Sequence, residues 1–257
     1  MGQMLVAVFP PIREAGKINI DEIGGVRLIQ PPKGVKASVD GLLLARYVRP
    51  SPGWRVADLG CGNGLVGLLL AWEQPLCRVV GIEIQDVLIR QAARSAGLNR
   101  TSDILFLRAN LRHPPWRDSL CSFDLVVANP PFRKVGTGRI SPDPVRAAAR
   151  HELLGGVDDF ARAASTLLKP GARAVWIYLA ARTEDLFSAV ITADLSPVRF
   201  RYVISRKNEP PSLVLMEAIK GNQEGEVVEE EPLIMYEKEK GRNYTDEARS
   251  IIYGNSD

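Results

Sequence analysis

The run Arg55-Val56-Ala57-Asp58-Leu59-Gly60-Cys61-Gly62-Asn63-Gly64 passes from a strand-like segment into glycines at alternate positions, and an apolar helical run begins at Leu65. Strand, glycine-rich turn and helix in that order open a βαβ unit, with glycines where a backbone must approach a ligand closely. The segment Gly62-Asn63-Gly64-Leu65-Val66-Gly67 matches G-x-G-x-x-G literally. Glu83 lies about 20 residues on, where a dinucleotide site places its ribose-binding acid. Asp58 turns the reading away from a dinucleotide. A carboxylate just ahead of the glycines repels a pyrophosphate but attracts a cationic sulfonium and an amino group.

Outward from this turn, strand-like runs alternate with runs of helical period, the pattern of a parallel sheet. Strands are predicted at Arg55 to Asp58, Arg78 to Glu83, Ile104 to Leu107, Phe123 to Ala128 and Ala172 to Ala180. A helix from Gln85 to Ala96 places Leu88, Ala92 and Ala96 on one face and meets Gly97 at its expected C-cap. Phe160, Ala164 and Leu168 form a second stripe, preceded by Asp158 and Asp159 and stopped by Lys169-Pro170-Gly171. Ser38 is a candidate N-cap for a helix reaching Tyr47. Val198 to Ser205 and Ser212 to Ile219 are joined too closely for a crossover helix, so they should be antiparallel. The expected fold is α/β and Rossmann-like: a mostly parallel seven-stranded sheet ending in an antiparallel C-terminal hairpin. A single domain is expected over 1–257, with an N-terminal extension (1–37), a core (38–220), a polar linker (221–231), and a short strand at Pro232 to Tyr236 and helix at Thr245 to Tyr253.

A composition of 46% hydrophobic and 25% charged residues suits a soluble globular chain. No apolar run approaches the roughly 18 residues of a membrane helix. The start MGQMLVAVFPPIREAG lacks the basic n-region of a signal peptide, so a cytoplasmic protein is expected. Cys61, Cys77 and Cys121 form no CxxC pair, and the histidines are His113 and His151, so neither a disulfide framework nor a metal site is expected. Cys61 in the glycine turn is expected to be a small filler. Arg133, Lys134, Arg139, Arg146 and Arg150 face a single acid, Asp143, within their stretch, whereas Glu224 to Glu231 is acidic. Such a basic loop beside a site suits a polyanionic substrate. His151 and Glu152, next along the chain, are expected to position a closing segment.

The fourth predicted strand ends in Asn129-Pro130-Pro131-Phe132. Two prolines stop a strand and stiffen the turn beyond it. An exocyclic amine such as adenine N6 has its lone pair delocalised into the ring and is a poor nucleophile until its hydrogens are bound out of plane. The Asn129 side-chain oxygen and the Pro130 carbonyl can accept both hydrogens. Phe132 offers a face on which a flipped base can stack.

The register D-x-G-x-G-x-G at Asp58, Gly60, Gly62 and Gly64 resembles motif I of class I S-adenosylmethionine-dependent methyltransferases. That resemblance implies that Glu83 binds the ribose hydroxyls and that Ile84 packs on the adenine. Asn63 and Asn129 also count among the expected cofactor contacts. Asn110 stands where the family usually has an acid, and its side-chain oxygen can accept from the adenine amino group. Asn129 to Phe132 is similar to the [ND]-P-P-[FYW] motif of amino-group methyltransferases. The stretches Leu28 to Gly34, Ser38 to Ala45, Gly138 to Pro142, Ala149 to Glu152, Leu213 to Gly221 and Tyr244 to Gly254 resemble the bacterial family that methylates N6 of adenosine 37 in a valine tRNA.

The resemblance implies adenine-N6 methylation in RNA, with S-adenosylmethionine as cofactor, tRNA as partner, and Arg133, Lys134 and Arg139 on RNA phosphates. DNA adenine methyltransferases of this motif usually carry a target-recognition domain and release-factor glutamine methyltransferases a helical N-terminal domain, neither of which is expected from residues 1–37 and the short tail. A guanine-N2 rRNA or protein glutamine methyltransferase, a noncatalytic RNA-binding module and an NAD-dependent oxidoreductase are the alternatives.

Overall fold

In the computed structural model, residues 19–30, 37–99, 101, 103–113, 122–132, 155–237, 241 and 243–254 are described. Strands β1 (Asn19–Ile23) and β2 (Val26–Gln30) form a separate antiparallel hairpin. The main sheet contains β3 (Arg55–Leu59), β4 (Arg78–Glu83), β5 (Ile104–Arg108), β6 (Phe123–Ala128), β7 (Leu168–Leu179), β8 (Leu195–Ile204), β9 (Pro211–Lys220) and β10 (Val228–Ile234). Its spatial order is β10-β8-β9-β7-β6-β3-β4-β5. Strands β3 to β7 pair parallel, and β9 lies antiparallel to both β7 and β8. The expected C-terminal hairpin is therefore present, with β9 inserted between β7 and β8. Strand order reverses between β3 and β6, and an open α/β sheet binds ligands beyond the carboxyl ends of its strands at such a point.

Helices α1 (Val39–Tyr47), α2 (Leu65–Glu73), α3 (Asp86–Asn99), α4 (Val157–Leu167), α5 (Thr183–Thr192) and α6 (Asp246–Tyr253) complete the described elements. Successive side chains of a strand point to opposite faces. Along β6, Leu125 and Val127 join the apolar core beneath α1 and α2, while Val126 and Ala128 join the core beneath α4 and α5. None of the described helices is long and apolar enough to cross a membrane.

Four details depart from expectation. The sheet has an eighth strand: Val228 to Glu231, expected in a polar linker, belong to β10, which pairs parallel to β8. There the charged side chains are used at a sheet edge. Arg199 Nη1 of β8 donates to Glu230 Oε1 at 2.6 Å, and Leu233 turns inward to 1% exposure. Helix α3 continues through Gly97 to Asn99 instead of capping at the glycine. Asn99 ends it by clasping β2: its side-chain amide donates to Arg27 O at 2.7 Å, and its Oδ1 accepts the Arg27 amide at 2.7 Å. Leu168 leaves the α4 stripe and begins β7, in extended conformation and opposite Phe123. Ser38 sits at the N-cap of α1 but makes no side-chain capping bond, whereas Thr245 caps α6 through the Ala248 amide at 3.2 Å.

Candidate active site

Register places the two sequence motifs side by side. Leu59 of β3 pairs with Ala128 of β6, so the glycine turn and the Asn129-Pro130-Pro131-Phe132 turn leave the sheet from neighbouring positions. Adjacent strands are separated by about 4.8 Å. On the other side of β3, Leu59 pairs with Ile82, the residue before Glu83.

The glycine turn needs its glycines for two reasons. Gly60, Gly62 and Gly64 all have positive φ, at 64°, 56° and 89°, a region costly for residues with a Cβ. Space distinguishes them. A Cβ on Gly60 would lie 2.9 Å from the Phe160 ring, and one on Gly64 would lie 2.9 Å from Ala92 Cβ, whereas Gly62 has nothing within 4 Å. Gly60 and Gly64 thus seat the turn on its neighbours, and Gly62 faces open space. Cys61 hydrogen-bonds into the neighbouring strand, its amide donating to Ile82 O at 3.1 Å, and its thiol is buried with its pKa pushed up by burial. A filler with a protonated thiol agrees with this environment.

Two carboxylates frame the turn from beneath. Asp58 is 2% exposed, and its Oδ2 accepts the Gly67 amide of α2 at 3.0 Å. Burial pushes its pKa up to about 7, the Gly67 amide opposing the rise and the Glu83 charge adding to it. Glu83 is 7% exposed; its Oε2 accepts the Gly62 amide at 3.1 Å and its Oε1 the Gln85 amide at 2.8 Å. Burial raises its pKa too, against the pull of these amides. Among the described residues neither acid has an ion-pair partner. Two buried acids without a cation suit a ligand that brings positive charge. Asn63 Nδ2 is buried and has no hydrogen-bond partner among the described residues, so the turn also holds an unused donor.

The outer wall is set by the segment after β5. The Ala109 amide donates to Glu83 O at 3.0 Å, which brings Asn110 beside the end of β4. Asn110 Oδ1 accepts the Arg112 amide at 3.0 Å in a tight local turn. One lone pair of that oxygen is thereby used and a second remains. Ile84 is half-buried at the mouth. Arg112 Nε lies 3.4 Å from Asp159 Oδ2, which ties this wall to the start of α4.

The second turn is rigid and accessible. Pro130 is buried, while Asn129, Pro131 and Phe132 are half-buried, and Phe132 packs against the α4–α5 core. The Phe132 carbonyl accepts from Arg182 Nη1 at 3.0 Å, a contact that no local sequence signal marks because the two residues lie 50 positions apart. Arg133, Lys134 and Arg139, expected on RNA phosphates, and His151 and Glu152 lie outside the described residues.

The Methyltransferase small domain family model matches residues 38–156, the span containing both turns. A protein of Aeromonas hydrophila named tRNA1(Val) (adenine(37)-N6)-methyltransferase is 29% identical over 212 residues, covering 76% of this chain and 82% of its own length. A Porphyromonas gingivalis protein of the same name is 31% identical over 190 residues, covering 71% of this chain and 74% of its own. Among solved structures, one from Agrobacterium tumefaciens described as a predicted O-methyltransferase aligns with a TM-score of 0.67 at 23% identity. It covers 82% of this chain and 94% of that one, a likeness of fold.

Proposed function

We propose that this chain, which belongs to the family of tRNA1(Val) (adenine(37)-N6)-methyltransferases, methylates N6 of an adenine in tRNA, at position 37, with S-adenosylmethionine as the methyl donor. The observation that supports the reading is the Leu59–Ala128 register, which sets the Asn129–Phe132 turn beside a glycine turn backed by two buried acids that have no ion-pair partner among the described residues. When bound, S-adenosylmethionine supplies an electrophilic methyl group on a cationic sulfonium. Asp58, Gly60, Gly62, Asn63, Gly64, Glu83, Ile84 and Asn110 would hold it.

The chain's residues supply binding, orientation and a route for the proton. Asn129 Oδ1 and the Pro130 carbonyl accept the two N6 hydrogens of the target adenine and draw the nitrogen lone pair out of conjugation. The proline rings fix φ at Pro130 and Pro131 and bias the residue ahead of each toward extended backbone, so the Pro130 carbonyl is aimed in advance. Phe132 stacks the base extruded from its RNA stack. The substrate nitrogen becomes acidic as its new bond forms, and its proton leaves to water past the Asn129 oxygen. Arg133, Lys134 and Arg139 hold RNA phosphates, which makes binding weaken with salt.

Transfer from labelled S-adenosylmethionine to unmodified tRNA, ribosomal RNA, DNA and protein in parallel, with nucleoside mass spectrometry of the labelled RNA, tests this. The expected product is N6-methyladenosine in tRNA. Label as N2-methylguanosine or in protein would overturn the substrate, and no transfer to any acceptor would overturn the activity.

A further inference from the structure

Two prolines leave the amine-binding turn with a weak point. Their rings fix φ at residues 130 and 131, and the residue before each proline is held extended. The torsions on either side of the Phe132 Cα are not fixed by any ring. Phe132 is thus the one residue of the turn that is neither a proline nor followed by one.

The far end of β7 supplies what is missing. Ala128, the last residue of β6, is the register partner of Trp176, and β7 runs on past that point to Leu179. Beyond Leu179 a single 3-10 turn, Ala180–Arg182, brings Arg182 back toward β6. Its side chain is only 14% exposed. Arg182 Nη1 donates to the Phe132 carbonyl at 3.0 Å, its Nε donates to Asp185 Oδ2 at 2.7 Å, and its guanidinium lies 5.1 Å from the centre of the Tyr178 ring. Tyr178 is 1% exposed and cannot move away. A planar guanidinium fixed by a carboxylate and an aromatic face has little rotamer freedom left, so the remaining N–H groups point in a set direction.

We infer that Arg182 is a positioning residue for methyl transfer. By holding the Phe132 carbonyl it fixes the peptide after the stacking residue and so sets the angle of the ring against which the target base lies. Asp185 and Tyr178 act through it. This inference rests on the reading of Asn129 to Phe132 as the amine-binding turn.

The test compares wild type, Arg182→Ala and Arg182→Lys for turnover at saturating tRNA and cofactor, cofactor affinity by calorimetry, melting temperature and rescue by added guanidinium. In Arg182→Ala, turnover is expected to fall by about 10- to 100-fold, the scale of misplacing a reacting group by about 1 Å. Cofactor affinity should stay within about twofold, since the glycine turn is untouched. Guanidinium should restore part of the lost turnover in this variant. Lysine keeps the charge but not the fork, so Arg182→Lys should remain impaired. Unchanged turnover in either variant, or a loss of turnover that tracks cofactor affinity and ignores guanidinium, overturns the inference. Should Arg182→Ala fail to fold, Arg182→Lys alone decides between these outcomes. Absence of methyl transfer by the wild type would overturn the proposed function instead, and the two failures are separate.

Discussion

The Glu83 carboxylate accepts the backbone amide of Gly62 at 3.1 Å, 21 positions back along the chain. An acid at the end of one strand thereby fixes the turn at the end of its neighbour. Its other oxygen accepts the Gln85 amide, so a single side chain satisfies donors from two loops. Glu83→Gln leaves one of these amides facing an NH2 group. A hydrogen bond to a charged group contributes about 1.5–3 kcal/mol, so cofactor affinity should weaken by roughly 10- to 100-fold. Turnover at saturating cofactor should change far less. Calorimetry with steady-state kinetics on the same preparation checks both.

Asp58 gives the site a pH dependence. Its pKa in the fold is about 7 against 3.8 for a free aspartate, because burial penalises the charge. A cationic ligand binds the ionised form, so affinity for S-adenosylmethionine should rise with pH up to about 7 and then level off. In the ligand-free protein the folded state holds a proton that the unfolded chain has lost between pH 3.8 and about 7. Stability should therefore fall as pH rises through that window. Glu83, shifted in the same direction, adds to both trends. Asp58→Asn should flatten the affinity profile and weaken binding throughout. Because the ligand's own amino group titrates alike with both proteins, the difference between the two profiles isolates Asp58.

Two glycines should fail in different ways. A Cβ on Gly81 of β4 would stand 2.6 Å from the Phe106 ring and 2.9 Å from Cys61 Sγ. Gly81→Ala should cost about 1–3 kcal/mol of stability, the usual scale of overpacking, measured by denaturant unfolding. Gly62 has φ of 56° and nothing within 4 Å. Gly62→Ala should cost only the left-handed conformation, about 1–2 kcal/mol, yet reduce cofactor affinity, since its methyl group enters the open space proposed for the ligand. If Gly62→Ala bound cofactor like wild type, the ligand would not occupy that side of the turn.

Asn129→Ala removes one proposed acceptor of the target amine while leaving both prolines. Turnover is expected to drop about 10²-fold or more, the scale seen when one polarising hydrogen-bond group is deleted from a site. Cofactor binding should persist. Near-normal turnover in this variant would sink the amine-activation mechanism.

The elements around the two turns were legible because each carried a local cause. Asp58, the alternating glycines and Leu65 fix a strand–turn–helix in a single stretch, and doubled proline ends β6 where expected. Elements whose causes are distant were not legible. Gly97 carries the mark of a C-cap, but α3 runs past it because Asn99 is clasped by Arg27, 72 positions away. The Glu229–Glu231 segment has linker composition, yet Glu230 enters a strand because Arg199 is there to meet it. In the site, Arg182 was missed for the same reason. Its role exists only because β7 overruns the end of β6 and the turn after it meets Phe132, and its sequence neighbours, Ala180, Ala181 and Thr183, do not suggest it.

Strand β10 and helix α6 come late in the chain, yet they finish a core begun near its start. Leu233, Met235 and Ala248 are buried in the same apolar cluster as Leu42, Leu43 and Leu44 of α1, and Ile251 and Ile252 pack against it. During synthesis at about 5–20 residues per second, β3 to β9 can emerge and pair while α1 still lacks this cover. A nascent chain paused before Val228 would offer the ribosome's attendant chaperones an apolar face. The two turns of the site can thus be made well before the molecule that carries them is closed.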